Sequence, residues 1–267
     1  MVEGLAIYRR LAGARLRSDL QYRTSFAMFF AGQFLITFLD FVAIAIIFGQ
    51  VPRLGGWSLS EVAFLYGASG VAFGLADMFV SQVELLPEQV LDGRFDVALI
   101  RPVSSLLQLV AGDFALRRMG KVLQAAIILA VAVTRVHVHW TPDKVAMVAV
   151  MLLAGTVIFS ALWVATGALS FWLLDAREVM NSLTYGGNYL TEYPVQIYGV
   201  WLRRLVVFVT GVAFVNFFPA LYILGKPDPL GLPGVVRFLS PLVAVVAAVA
   251  AGAFWRVAVR HYRSTGS

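Results

Sequence analysis

The chain has 267 residues, 60% of them hydrophobic and only 13% charged, with a mean hydropathy of +0.82. A soluble domain is about half apolar and about a quarter charged, so this excess has no place in a water-soluble core, and the unit of counting becomes the bilayer crossing of about 20 residues. Cysteine is absent, which excludes disulfides, thiolate nucleophiles and cysteine-held metal, and the formal charge of +6 is read by position, not as a nucleic-acid footprint.

Residues 1–23 carry five arginines before any long apolar run, and no small-residue cleavage site follows, so no cleavable leader is expected. Within them, Gly4 to Arg23 predicts an amphipathic helix on the inner membrane surface. Leu5, Tyr8, Ala12, Leu16 and Leu20 lie on one side, Arg10 and Arg17 on the other, while Arg9 and Arg15 border the apolar arc. Apolar runs then predict six membrane-spanning helices at 25–48, 60–80, 119–136, 146–173, 205–223 and 238–257. Helices are required because lipid offers the backbone no hydrogen-bond partner, and the short alternating strands of a closed barrel are missing.

The connection 81–118 is the longest and mixes acids, bases and short apolar stretches, the composition of a docking surface. Residues 224–237 include Gly225-Lys226-Pro227-Asp228-Pro229, a turn-rich stretch that predicts a cap between the last two spans. Lysine and arginine orient the whole. With both termini in the cytoplasm, 16 basic residues fall inside and only Arg53, Arg135, Lys144, Lys226 and Arg237 outside. Arg177, Arg203 and Arg204 are counted among the inner set. Trp57 and Trp140 fall at the outer interface and Trp201 and Trp255 at the inner one, where amphipathic rings prefer to sit.

Chemistry-bearing motifs are few. Gly120-Lys121 is followed by Val122 and Gly225-Lys226 by Pro227, so neither supplies the magnesium-binding hydroxyl of a phosphate loop. His137, His139 and His261 lie outside the spans, leaving Ser160 and Ser170 without a base, and hydroxyls in such helices ordinarily serve packing. His137-Val138-His139 lacks a third metal ligand, and Asp92-Gly93 lacks the later paired aspartates of a metal-dependent lipid transferase. No enzymatic activity is expected of this chain. Asp40, between Leu39 and Phe41, is the exception to an apolar first span. An unpaired carboxylate there costs a few kcal/mol, so it faces protein, water or a partner, either as a group of a translocation path or as a structural hydrogen-bonding carboxylate. Asp77 and Asp113 are placed near cytoplasmic helix ends, where water makes them inexpensive.

The segment Pro87-Glu88-Gln89-Val90-Leu91-Asp92-Gly93-Arg94-Phe95-Asp96, continuing to Leu99-Ile100-Arg101-Pro102, resembles the cytoplasmic signature of a six-helix subfamily of ABC-2 type exporter permeases. A second stretch, Tyr193-Pro194-Val195-Gln196-Ile197-Tyr198, then Trp201-Leu202-Arg203 and Phe214-Val215-Asn216-Phe217-Phe218-Pro219-Ala220, is similar to the same subfamily around its fifth helix. The resemblance implies a single transmembrane domain over 1–267 in the cell membrane that pairs with a second permease half, identical or a sister chain. It also implies two copies of a separate ABC ATPase that bind ATP and Mg, with no cofactor in this chain and no nucleic-acid partner. The 81–118 loop would carry a coupling helix seated in a cleft of the ATPase, with Glu88, Gly93, Asp96, Leu99, Arg101 and Pro102 in the coupling region. Pro102 fits that place physically, since proline drives the preceding residue out of helix and ends a short element sharply. Asp40 and Asn216 are the candidates for the translocation path of a hydrophobic or amphiphilic substrate moved out of the cytoplasm. The rival reading is a secondary transporter or channel working without ATP. Such proteins are often built from inverted repeats, which are not evident here, although Pro219 and Ser240-Pro241 are suited to breaking helices.

Overall fold

The computed structural model describes residues 23–111, 118–173 and 176–262, and within them every regular element is helical. In chain order these are α1 (Arg23–Gln50), α2 (Leu59–Val80), α3 (Leu86–Leu91), α4 (Arg94–Leu99) and α5 (Ser105–Ala111). They are followed by α6 (Met119–Arg135), α7 (Pro142–Ala168), α8 (Ala176–Thr191), α9 (Val200–Arg204), α10 (Phe217–Ile223) and α11 (Ser240–His261). Four helical stretches are long and apolar enough to cross a membrane: Arg23–Gln50, Leu59–Leu91, Pro142–Phe171 and Ser240–His261. The surface helix expected within 1–23 lies outside the described residues, apart from Arg23, which opens α1. Asp113 lies outside them too.

Helix α2 is the axis of the bundle. Ser58 and Glu61 close a capping box at its start, the Ser58 amide donating to Glu61 Oε2 at 2.8 Å, and it is buried on nearly all sides. Because lipid is as apolar as leucine, such packing rests on close fit more than on hydrophobic sorting, and small residues permit it. Gly67, Gly70 and Gly74 form the stripe that receives α6. A Cβ built on them would stand 2.7 Å from the Leu129 backbone nitrogen, the Ala125 Cβ and the Val122 Cγ2 respectively, which also fixes the pair as antiparallel. On its other side α2 meets α7, where Phe73 packs against Phe159 with centroids 5.2 Å apart and against Trp163 at 4.8 Å. Helix α11 covers α7, and α1 lies outermost against α6 with Ile44 as its buried residue.

The fifth expected span, 205–223, is where the structure departs from the hydropathy reading. Helix α9 passes into a π-helical turn over Leu205–Val209, the chain reverses at Gly211 (φ 67°), and Val200–Val209 meets Val212–Ile223 at 73°. Both flanks of this unit sit at one turn. Gln196 Nε2 donates to Gly55 O at 2.7 Å, and Lys226 Nζ to Gly56 O at 3.1 Å. The segment therefore enters and leaves at the Gly55 end as a re-entrant hairpin. The run across the bundle belongs instead to α8, whose first turn meets α3 through Arg177 and Glu88 and whose last residue, Thr191, meets Ser69 in the middle of α2.

Three sequence-based placements change with it. Arg203 and Arg204 move to the Gly55 end, away from the inner set in which the sequence counted them. Trp201 moves to that end as well. Trp57 and Trp255 are buried in the protein and so do not face lipid, Trp57 packing against Phe217 at 5.9 Å and Trp255 against Phe171 at 5.7 Å. Asp77 is not relieved by water either. It is fully buried and held by Lys121 Nζ at 2.5 Å and by the Arg118 guanidinium. Residues 224–237 begin at the Gly55 end, with Asp228 Oδ1 accepting from the Leu230 amide at 2.8 Å and Lys226 paired to Glu61 at 3.0 Å.

Candidate functional site

The end of the bundle opposite Gly55 carries α3, α4 and α5. A 3-10 turn, Ser81–Leu85, leads from α2 into α3, and Gly93 at φ 69° makes the reversal between α3 and α4 that a side chain would strain. Phe95 fixes α4 to the bundle, fully buried among Phe171 and Tyr262 at 5.2 Å each and Trp255 at 6.5 Å. Burial, and then the nearby Asp96 carboxylate, push the Tyr262 hydroxyl up to about 12. Gln108 clamps the turn after α4, its Nε2 donating to Ala98 O at 2.9 Å and Val103 O at 2.8 Å. Helix α4 stops at Leu99, so Arg101 and Pro102 stand in an exposed bend. Glu88, Gly93, Asp96, Leu99, Arg101 and Pro102 thus share one end of the molecule. Around them are exposed apolar side chains: Leu91, Val97, Leu99 and above all Ile100, which is 82% exposed.

This end is wired to the interior. Glu88 pairs with Arg177 in the first turn of α8. Glu84 accepts from Trp163 Nε1 at 2.9 Å and from Tyr185 Oη at 3.1 Å, and lies 3.9 Å from Arg118, which with Lys121 neutralises Asp77. The buried acids here are matched by buried bases, the condition under which ions persist inside a membrane protein.

Tyr185 leads into a pocket of about 240 Å³ between α1, α2, α6 and α8. From α1 come Gln33, Ile36, Thr37 and Asp40, and from α8 and the residue beyond it Tyr185, Asn188, Tyr189 and Glu192. Each set follows i, i+3, i+4, i+7 spacing, one face of a helix. Tyr66 and Phe73 of α2 and Lys121 and Gln124 of α6 complete the wall. The Tyr66 hydroxyl donates to Thr37 O at 2.6 Å, tying α1 to α2, and Asn188 Nδ2 donates to Glu192 Oε1 at 2.8 Å. Asp40 therefore faces this pocket. Asn216 does not line it: fully buried, it donates to Leu65 O at 2.9 Å and Thr191 O at 2.7 Å, holding the re-entrant hairpin to α2 and α8. Glu192, Tyr185 and Tyr189 escape a sequence reading that treats 174–204 as a connection. The i, i+3, i+4, i+7 spacing of polar and aromatic residues over 185–192 is the signal that marks them.

A family model described as ABC-2 family transporter protein matches residues 34–266. The chain belongs to that family. Neither a curated protein nor a solved structure matches it. As an ABC-2 protein it is a multi-pass membrane component of an ABC transporter, a transport subunit and not itself a catalyst, and its family implies association with an ABC ATPase. Among the described residues of this ABC-2 protein no three His, Cys, Asp or Glu side chains group as a metal site.

Proposed function

We propose that the chain is the permease half of an ATP-driven exporter in the cell membrane. It has six crossings (α1, α2, α6, α7, α8 and α11), both ends on the cytoplasmic side and the re-entrant hairpin on the outer side. Two such halves, identical or sister chains, would work with two ATPase subunits that carry the ATP and Mg. Read by chain order, this arrangement of crossings assigns 14 of the 21 basic residues to the cytoplasmic side, which supports the orientation. Helices α6 and α8, with 17 and 16 residues, are each about 25 Å long by rise and fit a crossing completed by their flanking turns.

The observation that carries the reading is the pairing of exposure with connection at α3 to α5. Leu99, Ile100 and Arg101 face outward as a partner's cleft would need, while Glu84 and Glu88 of the same segment touch Trp163, Tyr185 and Arg177. Closure of two nucleotide-loaded ATPases would move this segment, and α8 would carry the displacement to the pocket. The test is co-purification of the tagged chain in mild detergent, scored by a phosphate-loop ATPase in the complex and by its ATP hydrolysis. Wild type is expected to bring the ATPase, and a Leu99→Glu, Ile100→Glu variant to lose it while remaining monodisperse. A well-folded wild type that never carries an ATPase sinks the exporter reading and turns attention to gradient-driven transport.

A further inference from the structure

The pocket between α1, α2, α6 and α8 holds an imbalance that the rest of the bundle avoids. Three of its lining residues are acids or bases that carry formal charge: Asp40, Lys121 and Glu192. Lys121 is committed to Asp77, and Arg118 to Asp77 and Glu84. Among the described residues no cation pairs with Asp40 or Glu192. Glu192 is buried with the Asn188 amide as its hydrogen-bond donor, and Asp40 is half-buried on the first span. Two carboxylates at membrane depth without a counter-ion are expensive unless they hold a proton or the site is completed by something positive.

The walls between these acids are aromatic. Tyr66, Phe73, Tyr185 and Tyr189 all line the pocket, and the chain itself already places a cation on two of them: Lys121 Nζ stands 5.6 Å from the Phe73 centroid and 5.9 Å from that of Tyr185. Ring faces and carboxylates together form the cage that attracts an alkylammonium group. The size is that of a head group, since pockets for whole drug-sized ligands begin at about 300 Å³. The remainder of the ligand has an exit. Ile36 both lines the pocket and is 59% exposed on the outer face of α1, so the cavity opens along an apolar helix surface.

We propose that this pocket binds an amphiphilic organic cation, its ammonium head between Asp40 and Glu192 on the tyrosine faces and its apolar tail along α1 into lipid. The assignment names a substrate class for the permease and rests on that reading. The arrangement selects against anionic amphiphiles, which would meet both carboxylates, and gives neutral ones no charge partner.

The experiment is equilibrium dialysis of the full chain in zwitterionic nanodiscs, with empty nanodiscs as background, using dodecyltrimethylammonium, dodecyl sulfate and dodecanol as probes. Saturable binding of the cation alone is expected, weakened about tenfold or more by Asp40→Asn and by Glu192→Gln and abolished by the pair. Tyr189→Phe, which keeps the ring, should bind like wild type, and Tyr189→Ala several-fold more weakly. Size-exclusion profiles and thermal unfolding of these variants identify any that are misfolded. Undiminished cation binding by the folded double variant overturns the proposal, as does tighter binding of dodecyl sulfate or no saturable binding of the cation by wild type. The permease reading is scored separately by ATPase co-purification of the same variants. ATPase present with cation binding absent refutes this inference alone, whereas cation binding without any ATPase leaves the pocket and removes the exporter.

Discussion

Replacing Asp77 by asparagine should damage the protein more than any other isosteric change in the ion network of α2 and α6. The carboxylate is fully buried, and Lys121 Nζ lies 2.5 Å away with its side chain only 13% exposed. At that separation and an effective dielectric constant of 20, the attraction is about 7 kcal/mol, much of which offsets the cost of removing both ions from water. Asp77→Asn keeps the shape and deletes the charge, leaving Lys121 buried beside Arg118 with Glu84 as the remaining nearby acid. Stranding a buried charge in this way costs about 3–5 kcal/mol. Asp77→Asn with Lys121→Gln removes the ammonium as well and should recover part of that loss, since only Arg118, with Glu84 beside it, is left short of its partner. Reversible unfolding in mixed micelles, monitored through the six tryptophans, gives the two differences, and their non-additivity is the coupling. A single-variant loss below about 1 kcal/mol, or a double variant at least as unstable as the single, refutes the claim that Asp77 is held by pairing and not by water.

Gly70→Leu should separate α2 from α6, since even a Cβ at Gly70 would stand 2.7 Å from the Ala125 Cβ; a loss of about 1–3 kcal/mol in the same unfolding assay is expected, against little change for Gly186→Ala, where a Cβ has nothing within 4 Å. At the Gly55 end the Tyr222 hydroxyl donates to Asp143 Oδ2, so Tyr222→Phe should lower stability in the same assay, and an unchanged unfolding midpoint refutes a role for that bond. The chain has no cysteine, so single cysteines report sidedness directly: Arg204→Cys and Lys226→Cys should react with an impermeant maleimide from one side, and Arg177→Cys only from the other. Reaction of Arg204→Cys together with Arg177→Cys would restore 205–223 as a crossing helix.

Most of the bundle was legible because most of it faces lipid or core. Helices α1, α2, α6, α7 and α11 coincide with apolar runs to within a few residues, apart from the last turn attributed to the fourth span. Helix α8 was invisible for a physical reason. Arg177, Glu178, Asn181 and Asn188 lower its hydropathy, and their companions Tyr185, Tyr189 and Glu192 face the pocket instead of lipid. In 205–223 the apolar content is divided, Val206, Val207, Phe217 and Phe218 being buried in the hairpin and Phe208 and Val209 exposed, so hydropathy alone does not show the 73° break. Gly211 and Pro219 were the local signs of a break. Half of the site was legible on the same logic: Asp40 stands out as a charge in an apolar helix, whereas Glu192 follows a stretch polar enough to pass for a loop.

The two contacts that join α3 to the interior differ in strength, and that difference decides what can move. Next to Val83 and Glu84 the bundle is tight. A Cβ on Gly167 would have no room against the Val83 side chain, and Glu84 is bonded to Trp163, itself fully buried. Glu88 and Arg177 are each nearly half exposed, the class of ion pair worth about 0–1 kcal/mol. A force on Ile100 and Leu99 would therefore leave Ser81–Leu85 locked to α7 and act at the junction with α3, breaking and remaking the Glu88–Arg177 pair at little cost. Because Arg177 opens the helix that carries Tyr185 and Tyr189, with Glu192 just beyond it, displacement at the weaker contact reaches the pocket through the helix, while the Glu84–Tyr185 hydrogen bond ties the pocket to the locked turn. Strengthening the weaker contact, rather than deleting it, is the perturbation most apt to stall transport with binding at both ends intact.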